Sequence, residues 1–264
     1  MCINLKIPYL TSYFLGLSFL GLSVFAFAQS YPHSIYTYGG LTRLDTTQTV
    51  IYLTFTGGDY NDGRKMVQRV LRKKKVKANF FFTGDFYRLK ENRSFIRALV
   101  RSGHYLGPHS DKHLLYAPWE NRDSLLVSKA QFIQDLGNNY KAMAAFDIQQ
   151  IAAPFFMPPY EWYNQEISNW TAELGLQLIN FTAGTRSNAD YTTPDMGKRY
   201  LSSQLIFDSI LDYESKDRHG LNGFILLLHV GTHPNRTDKL YRRLPSLIDT
   251  LRAKGYRFAS LHEL

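Results

Sequence analysis

The feature that most constrains the fold is an alternation of apolar runs with helical patterns. Val50–Phe55 is a continuous apolar and β-branched run, which is typical of a strand buried on both faces. Apolar residues then recur at helical spacing over Met66–Leu71, and a second buried strand is predicted over Ala78–Thr83. With short connections throughout, this order predicts a single-domain α/β fold with parallel strands.

The same alternation continues to the end of the chain. Further strands are predicted at 151–156, 176–181, 224–229 and 258–261, and helices at 95–100, 123–136, 164–174, 201–213 and 244–253. In parallel folds, the loops that leave the C-terminal ends of the strands carry the chemistry. The polar residues predicted to lie there are Asp59, His109, His113, Tyr160, Asp190 and His229.

One pair of these residues has the spacing of metal ligands. His109 and His113 lie four positions apart, just after a short apolar segment. Two imidazoles at that spacing can face one divalent ion, which then needs one more protein ligand and a water. A pair of surface histidines in a polar loop gives the same short pattern, so the spacing alone does not decide between them.

The net charge of the chain indicates which classes of molecule it could bind. The formal net charge is +9, and the densest basic run is Arg72–Lys77. That run ends an amphipathic segment, where the helix dipole favours cations without any partner. Since no recognition motif accompanies it, we expect no nucleic acid to bind. The excess positive charge favours an acidic glycan or an anionic cell surface.

The N-terminal segment is predicted to be a signal peptide, residues 1–28. Lys6 precedes an apolar stretch that ends in Ala26-Phe27-Ala28, which favours cleavage before Gln29 over a retained membrane anchor. The mature protein is then secreted or periplasmic and has no stable membrane span. Because Cys2 is the single cysteine, the mature chain forms no disulfide.

Taken together, these segments resemble the polysaccharide deacetylases of the NodB-homology type (carbohydrate esterase family 4). The stretch 103–113 is similar to the histidine motif of that family, and the end of the chain is similar to the usual family ending. The other matching segments are 76–84, Pro158-Pro159-Tyr160 with Asn164, Asp190-Tyr191, and Leu228-His229. The resemblance runs from about Val50 to Leu264, after an N-terminal lead-in of residues 29–49.

The resemblance implies a distorted (β/α) barrel with seven or eight parallel strands. It also implies a divalent metal, zinc in the first place and nickel or cobalt as alternatives, that activates water to remove N- or O-linked acetyl groups from a polysaccharide. His109 and His113 would be metal ligands, the backbone N–H of Tyr160 would help to bind the oxyanion, and His229 would be the general acid. Asp190 stands where the family has an Asp-Trp pair. The glycan and the oligomeric state stay open.

The first motif departs from the family. Where the family has Thr-Phe-Asp-Asp-Gly, with a base Asp before a metal Asp, this chain has Thr54-Phe55-Thr56-Gly57-Gly58-Asp59. Two glycines allow the backbone to bend, so Asp59 is predicted to be the third metal ligand. Asp62 is predicted to cap the helix that follows, or to support the metal ligands without binding the metal itself.

The general base is left without an assignment by the sequence. Met157 replaces the family arginine that contacts the base Asp, so both partners of that interaction are absent together. Three options remain. Asp59 could serve as both metal ligand and base, metal-activated water could react without a base, or Glu161 could be the base. A catalytically silent glycan- or metal-binding relative and a metal hydrolase for non-sugar amides or esters are the alternatives to a deacetylase.

Aromatic residues near these loops are candidates for stacking against sugar rings. They are Tyr116, Trp119, Trp162, Tyr163 and Tyr191. Because aromatic residues make up 15% of the chain, core packing explains many of them equally well.

Overall fold

The computed structural model describes residues 31–264, so the predicted signal peptide lies outside the described residues. The strands are β1 (Ile35–Thr37), β2 (Gly40–Arg43), β3 (Val50–Gly57), β4 (Asn79–Phe82), β5 (Tyr105–Pro108), β6 (Phe155–Phe156), β7 (Gln177–Leu178), β8 (Phe224–His229) and β9 (Arg257–Phe258). The helices are α1 (Arg64–Lys74), α2 (Gly84–Arg88), α3 (Arg93–Arg101), α4 (Lys129–Ala144), α5 (Gln165–Glu173), α6 (Ser203–Lys216) and α7 (Leu244–Ala253). Over residues 31–264, no helix combines the length and the apolar character that a membrane span requires.

The central sheet is parallel and has the strand order β5-β4-β3-β8, with β9 pairing alongside the start of β3. All eight residues of β3 are buried, as expected for a strand with neighbours on both sides and helices on the outside. The Phe55 and Phe80 rings of β3 and β4 stack with their centroids 5.2 Å apart. The C-terminal ends of β3, β5 and β8 therefore meet at one rim.

Hydrogen bonds beyond the central sheet close it into a distorted barrel, and the predicted fold class is confirmed. The Met157 N–H, just after β6, donates to the Pro108 carbonyl at the end of β5 (3.3 Å). The short strands β6 and β7 pair in parallel. The Thr182 N–H, beyond β7, then donates to the Ile225 carbonyl of β8 (3.1 Å), which completes the ring.

The strands predicted at 176–181 and 258–261 are only Gln177–Leu178 and Arg257–Phe258 in the structure. Two further predicted elements differ for local reasons. The long helix was predicted to start at Asp123 or Ser124, but α4 begins at Lys129 because Ser128 and Gln131 form a reciprocal capping box. The predicted strand at 151–156 is reduced to Phe155–Phe156. A 3₁₀ turn, Gln150–Ala152, occupies its first half and leaves the Ile151 side chain 87% exposed.

The lead-in is more than a surface segment. It forms the β1–β2 hairpin, and Leu41 bridges to Ile179 in parallel. Arg43, only 3% exposed, donates from Nε to the Asn222 carbonyl (2.8 Å) and from Nη2 to the Gly220 carbonyl (2.9 Å). Its Nη1 also pairs with the Asp217 carboxylate (3.2 Å). The hairpin is thereby fastened to the segment that precedes β8.

We expect Arg43→Met to lower the free energy of unfolding by about 2–4 kcal/mol, because the substitution leaves buried carbonyls without a donor and Asp217 without its cation. Urea unfolding of the purified protein measures this. Arg101→Met, on an exposed position of α3, is the matched control and should change stability by less than about 0.5 kcal/mol. Equal stability of the two variants would show that the lead-in contributes nothing to the fold.

Candidate active site

A cavity of about 900 Å³ opens at the rim where β3, β5 and β8 end. Five of the sequence-predicted residues line it: Asp59, His109, His113, Tyr160 and His229. The sixth, Asp190, lies directly behind His229. The rest of the lining includes Thr56, Glu161, Trp119, Tyr191 and a polar wall, which consists of Asn188, Thr193, Asp195, Met196, Arg199, Thr232, His233 and Asn235.

The loop that carries the two histidines is held from below by α4. The Asn139 side-chain oxygen accepts the His109 backbone N–H (2.8 Å). One turn earlier, a single carboxylate oxygen of Asp135 accepts the backbone N–H groups of Asp111 and Lys112, each at 3.2 Å. Since positions four apart share a helix face, one polar stripe of α4 fixes this loop.

The two imidazoles face one another with their ring centroids 5.1 Å apart. His109 Nδ1 lies 2.8 Å from the Met157 carbonyl, which can only accept, so Nδ1 carries the proton and Nε2 is left for the cavity. Burial, together with the neighbouring His113, lowers the pKa of His109 well below its usual value. Burial lowers the pKa of His113 to about 4. Both rings are therefore neutral near pH 7, the state in which imidazole binds a metal.

His229 ends β8 and is held by one buried carboxylate. Asp190, 2% exposed, places Oδ1 at 2.6 Å from His229 Nδ1 and accepts the His229 backbone N–H at Oδ2 (2.9 Å). Burial alone would lower the pKa of His229, but the charge and hydrogen bond of Asp190, with a contribution from Glu161, leave that pKa raised. The imidazolium form is thus stabilised with its second N–H free to point away from Asp190.

Tyr160 and Glu161 form a strained corner opposite His229. Both have left-handed backbone, with φ of 59° and 54°, directly after Pro158-Pro159. The Tyr160 ring packs on His113 with centroids 4.3 Å apart. Burial raises the pKa of the half-buried Glu161 carboxyl to about 7, while His229 lowers it and Asp190 raises it further.

Comparison with known proteins identifies the family. The family model described as polysaccharide deacetylase matches residues 43–179, just over half of the chain. The chain belongs to the polysaccharide deacetylase family. Peptidoglycan-N-acetylmuramic acid deacetylase PdaA of Bacillus subtilis is 26% identical over 225 residues, which cover 83% of this chain and 73% of the relative. A chitin deacetylase of Colletotrichum lindemuthianum is 25% identical over 228 residues, covering 85% and 83%.

Solved structures share the fold. The structure of Bacillus subtilis PdaA, a family 4 carbohydrate esterase, superposes with a TM-score of 0.66 at 23% identity and covers 86% of this chain and 85% of its own. A family 4 pseudoenzyme from Bacillus anthracis superposes with a TM-score of 0.65 at 20% identity, covering 87% and 69%. A mutant of that pseudoenzyme is described as having restored enzymatic activity.

The first motif of this deacetylase-family chain has no room for an aspartate at Gly57 unless its neighbours move. A Cβ added at Gly57 would lie 2.8 Å from the Phe82 ring and 2.9 Å from Val230, so any larger side chain requires those residues to move. Thr56, which pairs with His229 across β3 and β8, has a buried hydroxyl that finds no hydrogen-bond partner among residues 31–264. The packing around Gly57 is adapted to a residue without a side chain, and Thr56 places an uncharged hydroxyl where the family has its base aspartate.

Two of the three predicted metal ligands are arranged as a metal site requires. His109 and His113 present neutral imidazoles to one cavity, which suits zinc and similar ions. Asp59 lies on the exposed loop after β3, close enough for its charge to raise the pKa of His113. Yet within residues 31–264 no three His, Cys, Asp or Glu side chains converge as a metal-holding group. The Asp59 carboxylate has to approach the histidines to complete such a site.

The predicted cap role of Asp62 is wrong. Gly63, which has no side chain, occupies the N-cap position of α1. Asp62 instead accepts the Thr232 backbone N–H at Oδ1 (2.8 Å), and its Oδ2 accepts the Tyr241 hydroxyl (2.8 Å) and pairs with Lys239 (2.9 Å). These contacts tie the loop after β3 to the loop after β8, and they explain the lowered pKa of the half-buried Asp62, which burial alone would raise.

The aromatic candidates divide into rim and core residues. Trp119, 53% exposed, and Tyr191 line the cavity as predicted candidates, and Tyr160 joins them with its ring 5.7 Å from that of Trp119. Tyr116 and Tyr163 are core residues and cannot stack on a ligand. Trp162 lies beside the rim and packs under the Arg122 guanidinium, 3.9 Å from its ring.

Sequence reasoning missed two parts of the site. The larger part of the polar wall, from Asn188 to Arg199, occupies the long connection from β7 to α6, and a non-periodic stretch of that length is itself a sign of a functional loop. Asp135 and Asn139, which hold the histidine loop, lie on the same face of α4 as the buried Phe132 and Leu136. Polar residues that fall on the otherwise apolar face of a predicted helix are the sequence signal that would have revealed these two supporting residues.

Removing the support from α4 should weaken both fold and site. We expect Asp135→Ala to cost about 2–3 kcal/mol of unfolding free energy, because two backbone N–H groups lose their acceptor. Zinc affinity should fall about 10–100-fold as the histidine loop loosens. Urea unfolding and zinc titration calorimetry measure the two effects, with exposed Asp208→Ala on α6 as control. Unchanged zinc affinity in Asp135→Ala would show that the loop needs no support.

The raised pKa of Glu161 predicts a pH-dependent stability. Its pKa is 4.5 ordinarily and about 7 in the fold, so the stability present below pH 4.5 is lost as pH rises through 7. Glu161→Gln removes that loss, and we expect it to stabilise the protein by about 2 kcal/mol at pH 8 and to have little effect at pH 4.5. Thermal unfolding at the two pH values measures the difference. An equal effect at both would contradict the assigned environment.

Proposed function

We propose that this chain is a secreted or periplasmic, divalent-metal-dependent hydrolase that removes acetyl groups from a polysaccharide. The observation that carries the proposal is the composition of one cavity. Two neutral imidazoles, those of His109 and His113, line this cavity together with His229. The charge and hydrogen bond of Asp190 raise the pKa of His229. A metal-ligand pair and a proton donor in one cleft suit hydrolysis of an amide or an ester.

His109, His113 and Asp59 are the residues that would hold the metal. Zinc is the ion best matched to two imidazoles and a carboxylate, and nickel or cobalt have similar ligand preferences. When bound, such an ion supplies Lewis-acid chemistry that stabilises the negative charge developing on the acyl oxygen.

The chain supplies further catalytic groups around that centre. We assign the backbone N–H of Tyr160 as a donor to the oxyanion, a contribution of about 3–4 kcal/mol when such a donor is well placed. His229 holds a proton on the nitrogen that Asp190 does not occupy, and this proton goes to the leaving amine or hydroxyl. Either leaving atom can accept it, so N- and O-acetyl groups are both within reach of the chemistry.

The substrate class follows from the rim and from the relatives. Trp119, Tyr160 and Tyr191 present exposed rings on which sugars can stack. The named relatives are deacetylases of peptidoglycan and of chitin. The predicted signal peptide delivers the chain to the compartment in which such polymers occur. We therefore assign an acetylated polysaccharide as the substrate.

One observation favours a second function, that of a silent glycan- or metal-binding relative. The place of the family's base aspartate holds Thr56, and the fold neighbour from Bacillus anthracis is described as a pseudoenzyme. Such a relative would keep the histidine pair and the aromatic rim for binding. It would bind acetylated glycan without releasing acetate.

The experiment measures bound metal and acetate release together. Purified mature protein should release acetate from a panel of acetylated glycans, namely chitooligosaccharides, peptidoglycan and acetylated xylan. Chelation should abolish the release, and zinc, nickel or cobalt should restore it. His109→Ala and Asp59→Asn should lose most bound metal, whereas Asp62→Asn should retain it because Asp62 binds other protein groups.

Three outcomes would contradict parts of this proposal. Metal and glycan binding without acetate from any substrate would favour the silent relative. Acetate from a generic acetyl ester but from no glycan would indicate a non-sugar hydrolase. Full metal occupancy in Asp59→Asn would exclude Asp59 as the third ligand.

A further inference from the structure

The proposed mechanism leaves the half-buried carboxyl group of the cavity without a role. Glu161 lines the cavity and is half-buried, directly after Tyr160. We propose that Glu161 is the general base of this chain, the group that takes the proton from the attacking water. This role rests on the proposed deacetylase function and supplies the group that its first motif lacks.

The backbone at Glu161 is held in a conformation that an ordinary side chain avoids. Two successive non-glycine residues, Tyr160 and Glu161, have positive φ, which costs free energy at each position. Hydrogen bonds maintain the corner: Asn180 Nδ2 donates to the Glu161 carbonyl (2.9 Å), and the Glu161 N–H donates to the Pro158 carbonyl (3.2 Å). Glycine would fit this backbone with less strain, so the conformation does not account for the presence of a glutamate.

The position of Glu161 relative to the proton donor suits a base. His229 projects from β8 and Glu161 comes from the loop after β6; both line the cavity, and their charges act on one another. Asp190, behind His229, raises the pKa of Glu161. A proton donor and a proton acceptor that line one cavity, each with its pKa shifted by its environment, are the usual arrangement of an acid and a base. The other charged or titratable groups facing the cavity are Asp59, Tyr60, His109, His113, Tyr160, Tyr191, Asp195, Arg199 and His233.

The remaining carboxylates of the cavity are poorer bases. Asp59 is exposed and is assigned to the metal. Asp195 is fully exposed on the polar wall, and a hydrogen bond from Thr193 lowers its pKa, so it holds a proton weakly. Glu161 is the cavity carboxyl that burial makes more basic. Thr56, in the family's base position, cannot accept a proton near neutral pH.

The proposed step balances in protons and bonds. As the water oxygen forms a bond to the acyl carbon, one water proton passes to the ionised Glu161 carboxylate. The carbon–nitrogen bond, or the carbon–oxygen bond of an ester, then breaks while the leaving atom takes the proton of His229. Acetic acid, which keeps the second proton of the water, and the free amine or hydroxyl leave, and the acid then loses that proton to solvent to give acetate. Glu161 returns its proton to solvent, and His229 regains one from solvent.

The test compares substitutions at Glu161 with Glu166→Gln, an exposed glutamate on α5. The full mature protein, loaded with zinc, is assayed for acetate release from the best glycan substrate across pH 5–9. We expect Glu161→Gln to lower kcat about 10²–10⁴-fold, with little change in KM or bound zinc. The acidic limb of the kcat profile, which reports a base that must be ionised, should disappear. Glu161→Asp should retain part of the activity.

A second variant keeps the test independent of folding. Glu161→Gly suits the left-handed backbone and should fold at least as stably as the wild type, with the same loss of kcat. Because it leaves a space where the carboxylate stood, added formate should restore part of its activity. Formate should have no effect on the Glu166→Gln control.

The failures of the two proposals are distinguishable. If wild type releases acetate and Glu161→Gln retains its kcat and its acidic limb, the base lies elsewhere and the deacetylase function stands. Loss of bound zinc in Glu161→Gln would make Glu161 a ligand and overturn the base role. If wild type binds zinc but releases no acetate from any substrate, the deacetylase function fails, and the base role fails with it.

Discussion

The arrangement of the cavity depends on the register of one buried strand. β3 pairs in parallel with β4 on one side and β8 on the other, so Thr56 lies opposite His229 and Gly57 opposite Phe82. Parallel strands with fixed register end at one edge, and whatever follows each strand must meet there. His229 and the loops bearing Asp59 and His109 share one cavity for this reason. The closing bonds from β5 to β6 and from beyond β7 to β8 add Tyr160 and Glu161 to the same rim.

Much of the fold could be predicted from the sequence, because buried strands and amphipathic helices have strong periodic signals. β8 and α7 coincide with their predicted bounds, and α5 begins directly after Asn164, where its helix was predicted to start. The failures have specific causes. The start of α4 depended on a capping box at Ser128 that apolar periodicity does not report. Asp62 looked like a cap because it precedes a helix, but its partners Thr232 and Lys239 are distant in sequence.

The site was predictable as a set of residues and not as a geometry. Spacing and resemblance brought the six candidates forward; five line the cavity, and the sixth, Asp190, lies behind His229. Whether Asp59 reaches the histidines depends on loop conformation, which no residue pattern encodes. The environment of Glu161 also escaped the sequence, since its burial and its left-handed backbone follow from the closure of the barrel. A glutamate two residues after a proline pair carries no signal by itself.

The loops after β3 and β8 are joined so closely that they behave as one mechanical unit. Gly231 lies against the backbone of Tyr60 and Asn61 with no space for a Cβ, Tyr60 contacts the His233 ring, and Asp62 binds Thr232. Asp59 belongs to the first loop, and His233 of the polar wall belongs to the second. Movement of Asp59 toward the histidines therefore pulls on the surface that a glycan would occupy. If the proposed metal and glycan both bind, their affinities are thermodynamically linked, and each ligand would change the affinity for the other by the same factor.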